Sequence, residues 1–166
     1  DQSNDALEAF RFADAASTVY SFFWHEFCDW YIELVKPRLL GEAGASQDAA
    51  RSTLVSVLDS ALKMLHPMMP FITEELWQKL PIERTEPSIM LSRYPAGLES
   101  WRSPAIEQEY RYVKDAITAV RTVRSESNVA PSKRVDAQFF VSVPDAATAI
   151  EGHRQEVCTL ARLENL

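Results

Sequence analysis

The chain has 166 residues, 46% of them hydrophobic and 25% charged, with a net charge of −7 and only four glycines. That length buries one good core, or one core with a small appendage, and is short for a complete two-substrate enzyme that uses ATP. The glycine count excludes a glycine-turned sandwich or barrel, no apolar run reaches membrane-span length, and the acidic first thirty residues exclude a secretory signal, so the expectation is a cytoplasmic, mainly α protein with no membrane partner.

Residues 5–35 contain neither Pro nor Gly and read as one helix from Asp5 to Val35. At about 100° per residue, Phe12, Ala16, Val19, Tyr20, Phe23, Trp24, Phe27, Trp30, Tyr31 and Leu34 share one arc, a core-facing stripe. Seven of the twelve residues from Tyr20 to Tyr31 are aromatic. Aromatics can stack on splayed bases, but six of these seven read as packing residues. Phe22 alone points with Glu26, Asp29 and Glu33. His25 falls on the polar face and reads as a solvated imidazole rather than a general base.

Gly41-Glu-Ala-Gly44 ends that helix. Ser46 or Asp48 can cap a second one running to Leu65, with Leu54, Leu58, Leu62 and Leu65 along one side. His66-Pro-Met-Met-Pro70 is a corner with His66 as a corner residue, and Pro70 opens a third helix ending near Leu80, whose Glu74 and Glu75 suit the positive end of the dipole. Residues 81–103 lose periodicity and read as a surface connection. Ser103-Pro104 opens a fourth helix reaching Ser127, and Asn128-Val-Ala-Pro131 stops it. Val135 to Val143 is the one strand signal, and a last helix follows from Asp145 to the end. A lone strand needs a partner; a partner beyond Leu166 suits a chain cut from a longer protein, with another molecule or an unrecognised strand as alternatives. The organisation expected is a helical bundle over 1–130 and the start of a small, truncated α/β subdomain over 131–166.

No Gly-rich phosphate loop, nucleophile triad or metal-ligand spacing is present, so neither catalytic nor metal residues are assigned and the chain is not expected to catalyse alone. Cys28 and Cys158 are too far apart in sequence, and too isolated from other ligand types, to suggest a redox pair. Charge is unevenly spread. Residues 1–35 hold seven acids and one base, whereas 109–134 hold six bases and three acids. Phosphate contact therefore belongs near the fourth helix. Lys114 and Arg121 flank the apolar arc of Val113, Ala116, Ile117, Val120 and Val123. Arg124 falls inside that arc, where a guanidinium must snorkel, find an ion pair, or contact RNA or an adjoining domain. Lys133 and Arg134 add two cations just past the helix end. The candidate RNA-binding residues are Arg111, Lys114, Arg121, Arg124, Lys133 and Arg134.

Three stretches carry a family resemblance. Trp24-His-Glu-Phe-Cys-Asp-Trp-Tyr-Ile-Glu33, Leu65-His-Pro-Met-Met-Pro-Phe-Ile-Thr-Glu-Glu-Leu-Trp77 and Val120-Arg-Thr-Val-Arg-Ser-Glu-Ser-Asn-Val-Ala-Pro-Ser-Lys133 resemble, in order, the anticodon-binding region of valyl-tRNA synthetases, which are class I aminoacyl-tRNA synthetases. The second stretch is shared with isoleucyl and leucyl enzymes; the first favours valine. The resemblance implies a helical bundle on the anticodon stem-loop, with one further helix before the position of Asp5, a small α/β appendage and then a C-terminal coiled coil. It implies tRNA, a catalytic domain and that coiled coil as partners, and no cofactor in this chain. ATP and magnesium are implied for the parent, which would attach valine to its tRNA. Arg121 and Arg124 carry over as RNA-proximal positions. The rival readings are the same domain of an isoleucyl- or leucyl-type enzyme, and a free-standing acidic helical interaction module.

Overall fold

A computed structural model describes residues 2–166. The chain forms two compact units, Asp1–Leu98 and Glu99–Leu166, and is mainly α throughout its described residues.

The first unit opens with α1 (Gln2–Glu8) and α2 (Phe12–Ser21). The single helix expected from Asp5 is thus broken at 9–11. Arg11 N–H donates to the Ala6 carbonyl at 2.8 Å and Phe10 N–H to Leu7 at 3.0 Å, with Phe10 in the left-handed region at φ 56°. This is a Schellman cap, normally built on glycine. With Phe in that role, no sequence signal announced it. After α2 the chain continues as a π-helical stretch, Phe22–Tyr31, and then α3 (Ile32–Leu40).

The π stretch bears on a second departure, at Trp24. Its i→i+5 bonds, such as Ile32 N–H to the Phe27 carbonyl, widen the turn beyond 3.6 residues, so a wheel drawn at the α-helical angle misplaces side chains. Residues four apart come into line instead. Phe23 stacks on Phe27 at 5.6 Å and Phe27 on Tyr31 at 5.8 Å. Val19 and Phe27 are buried, but Trp24 of the expected core stripe is exposed; Phe12 and Tyr20 of that stripe are exposed too, in α2 ahead of the π stretch, and Phe22 is exposed as its position off the stripe implied.

Gly41 turns extended at the end of α3, where a Cβ would lie 2.9 Å from the Pro37 carbonyl, a clash that favours glycine. The freed carbonyls at that end are satisfied by a side chain: Gln47 Nε2 donates to Leu39 at 2.8 Å and to Gly41 at 3.1 Å. Gln47 belongs to α4 (Ala45–Leu65), which Gly44 rather than Ser46 or Asp48 introduces. The corner to α5 (Pro70–Gln78) is held by His66. Thr73 Oγ1 gives its proton to the Met69 carbonyl at 2.7 Å and so accepts from His66 Nδ1 at 2.8 Å, which fixes the imidazole tautomer.

Leu62, Trp77 and Ile89 form a buried cluster with Leu58, Leu80 and Ile82 against it. Two carboxylates fasten its edges. Asp59 accepts from Trp77 Nε1 at 2.7 Å and pairs with Lys63 at 2.8 Å. Glu74 accepts from Gln78 Nε2, Ser88 Oγ and Ile89 N–H at 2.8, 2.7 and 3.2 Å. These donors, Gln78 foremost and then Ser88, hold the Glu74 carboxyl below its ordinary value. The segment after α5 is therefore pinned rather than loose. Arg84 lies over the Trp77 ring at 5.4 Å and donates to the Trp77 and Leu80 carbonyls. Tyr94 Oη meets Ser3 Oγ at 3.2 Å, so residues 81–95 close back onto α1.

The second unit consists of α6 (Pro104–Glu126), α7 (Pro144–Gly152) and α8 (Arg154–Ala161). Pro at the first turn of α6 and α7 fits the positions where an N–H would have no partner. Val113, Ile117, Val157 and Leu163 are fully buried at its centre. Two expectations change here. The last helix is two, divided at His153. The strand over 135–143 is reduced to a parallel bridge between Val135 and Leu163, extended by Glu164 N–H to Val135 and Ala137 N–H to Asn165. Its partner is thus the chain's own segment after α8, which turns back through Arg162.

Candidate nucleic-acid interface

The basic residues singled out in sequence all belong to the second unit, on α6 or the turn after it. α6 ends in a Schellman cap: Val129 N–H donates to Arg124 and Asn128 N–H to Ser125 at 2.9 and 3.1 Å, with Asn128 at φ 52°. Asn tolerates that conformation better than most residues. Lys133 N–H then donates to Ala130 at 3.0 Å, so residues 128–133 are a tight turn rather than a tail.

Within this frame the six residues separate. Arg124 is buried and donates from Nη1 to the Arg162 carbonyl at 3.2 Å, and from Nη2 to Ala130 and Lys133 at 3.1 and 2.6 Å. Arg121 donates from Nε and Nη2 to Leu160 at 3.2 and 3.0 Å. Arg134 Nη1 donates to Leu163 at 2.9 Å. The three guanidiniums converge on the carbonyls at the end of α8, where helix carbonyls lack internal partners and the dipole is negative. Arg111 and Lys133 have exposed side chains and Lys114 is half-buried. Sequence reasoning offered Arg124 snorkelling, an ion pair, or a contact to RNA or an adjoining domain, and did not include these backbone carbonyls. Backbone carbonyls dozens of residues away carry no side-chain signature.

α8 also ends in a Schellman cap, with Leu163 N–H to Cys158 at 2.8 Å and Arg162 at φ 56°. A further contact unforeseen in sequence ties α6 to its start: His153 Nε2 meets Glu109 Oε1 at 3.0 Å, and Tyr110 packs on the ring at 4.8 Å. The partners lie 44 residues apart, too far for local periodicity to reveal.

The other candidates lie in the first unit. His25 Nδ1 meets Asp29 Oδ2 at 3.3 Å on an exposed surface, the arrangement expected of a solvated imidazole. Tyr20 and Trp24 stack with centroids 6.4 Å apart and planes at 1°. Partial desolvation, and then the Asp29 carboxylate, push the Cys28 thiol up. A thiol so held is a poor nucleophile. Among the described residues no helix is long and apolar enough to cross a membrane.

The family model described as the anticodon-binding domain of tRNA ligase matches residues 1–139. The chain belongs to this family. Among curated proteins it is 42% identical over 165 residues to the valine–tRNA ligase of Geobacter sulfurreducens, covering 99% of this chain and 19% of that protein. Against the valine–tRNA ligase of Legionella pneumophila it is 42% identical over 164 residues, 96% of this chain and 18% of the relative. The corresponding protein of Syntrophotalea carbinolica is 40% identical over 165 residues, 99% and 18%. The chain thus spans about a fifth of the relatives it matches. The family match covers α1 to α6 and the turn after it, the elements in which all three sequence signatures lie.

Proposed function

We propose that this chain is the anticodon-binding segment of a valine–tRNA ligase. It grips the anticodon stem-loop of a valine tRNA while other segments of the same protein activate valine with ATP and magnesium and transfer it. The observation that carries this reading is the 42% identity to valine–tRNA ligases across nearly the whole chain; the family model supports anticodon binding on its own. A sister enzyme for isoleucine or leucine is not favoured, since each relative cited above carries valine in its name.

The RNA face in this reading is the basic side of α6 and the turn after it. Phosphates attract cations, and the Arg111 and Lys133 side chains are exposed there. Lys114 and Arg121 extend the same face, Arg134 lies at its edge, and Arg124 is buried beneath it. Specificity comes from anticodon bases, which an unstacked loop offers on their free edges. The test is binding of valine tRNA transcripts by the full-length protein. Replacing the valine anticodon is expected to weaken binding, and Arg111→Glu with Lys133→Glu to weaken it further and flatten its salt dependence. Affinity indifferent to the anticodon would overturn the reading.

A further inference from the structure

Of the six basic residues, the one buried deepest is also the one with the most backbone acceptors. Arg124 reaches three carbonyls, on Ala130, Lys133 and Arg162. Two of these belong to the turn that follows α6, and the third lies just past the end of α8. Its guanidinium has five N–H donors in a rigid plane, which suits one side chain to gathering carbonyls from different segments. Lys133 is held at both backbone groups: its N–H donates to Ala130 at 3.0 Å and its carbonyl accepts from Arg124 at 2.6 Å. Its side chain remains exposed. The charge that faces solvent and the charge that fixes it are therefore different residues.

The geometry points to Arg124 as a positioning residue for tRNA binding: it touches no RNA, and it locks the 128–133 turn so that Lys133 presents its ammonium to a phosphate. This rests on the anticodon-binding reading above. A phosphate contact made by a prearranged cation avoids the ordering cost that a mobile loop would add on binding. It also explains why a buried arginine lies in the most basic part of the chain without adding to its exposed charge.

The experiment is a double-mutant cycle on the full-length protein, measuring binding of a valine-accepting tRNA transcript as a function of salt. Lys133→Ala is expected to reduce the slope of log affinity against log salt by about 0.7–0.9, the range for one phosphate contact on single-stranded to duplex nucleic acid. In the background of Arg124→Met the same Lys133→Ala change is expected to have no further effect on the slope. A general loss of stability would lower both affinities yet leave the Lys133 increment in place, so the coupling separates positioning from mere scaffolding. If Arg124→Met does not fold, the cycle is run on Arg124→Lys, whose ammonium cannot span all three carbonyls, and a reduced Lys133 increment is expected. An undiminished increment in either background overturns the inference and leaves the RNA face intact. A Lys133→Ala change silent in the unmodified protein, with Arg111→Ala still lowering the slope, overturns the inference alone. If both single changes are silent, the RNA face assigned to α6 falls with it.

Discussion

The Trp77 cluster of the first unit and the end of α8 in the second are closed by opposite groups. In the first, two carboxylate acceptors close the edges of the cluster, Asp59 taking the Trp77 indole and the Lys63 ammonium and Glu74 taking Gln78, Ser88 and Ile89, whereas Gln47 and Arg84 of the same unit donate to helix-end carbonyls. In the second, the end of α8 is closed by donors, with Arg121, Arg124 and Arg134 reaching backbone carbonyls. The basic balance of residues 109–134 includes these donors. Formal charge is thus a poor guide to available charge, because several of the cations in the basic region already have backbone partners.

The largest effect should come from the first unit's cluster. Trp77 is 2% exposed, and Trp77→Ala should cost about 3–5 kcal/mol through the lost ring and the cavity it leaves. Trp77→Phe, which keeps most of the ring and removes the Asp59 bond, should cost about 1–2 kcal/mol. Urea unfolding of the three proteins checks the ratio. If the Phe variant lost as much as the Ala variant, the carboxylate rather than the apolar cluster would dominate the junction.

Much of this arrangement was legible in sequence. Gly41, Gly44, Pro70 and Pro104 bound α4, α5 and α6 within a few residues of expectation, because their backbone constraints are local. The basic region was found from charge alone. What could not be read depended on groups without a sequence signature. Phe10 and Arg162 adopt a conformation usually left to glycine, the π stretch changes helical register without Pro or Gly, and the acceptors of Arg124 are backbone atoms. Val135 paired with a segment after α8 that showed no strand periodicity of its own, since a short bridge needs none.

A smaller effect sharpens the donor side of the comparison. Arg162 sits at φ 56°, which costs a non-glycine residue about 1–2 kcal/mol, while glycine's extra unfolded-state freedom returns about 0.5–1 kcal/mol of that. Its carbonyl, not its side chain, serves Arg124. Arg162→Gly should therefore stabilise the protein by roughly 0.5 kcal/mol net of those two terms. Phe10→Gly relieves the same strain but gives up the edge contact to Phe12 at 6.2 Å, and should gain less. A destabilised Arg162→Gly protein would mean that the arginine side chain contributes to the α8 cap as well.

The smallest effect concerns acid and the acceptor side of the comparison. Glu74 has its folded value depressed by the Gln78 and Ser88 side-chain bonds and by Ile89 N–H. A carboxyl that protonates less readily when folded stabilises the fold fully above its unfolded range. That contribution is lost as pH falls through the lower, folded value. Glu74→Gln removes the titration, so the stability difference between the unmodified protein and the variant should be constant from neutral pH down to the ordinary glutamate range and shrink below it. Urea midpoints measured from neutral to acid pH for both proteins give that difference directly. The α8 junction is held instead by arginine donors on backbone carbonyls. A difference that stays flat into strong acid would show that the Ser88 and Ile89 bonds hold equally well on a neutral side chain, and that the carboxylate's charge adds nothing to the closure of the first unit.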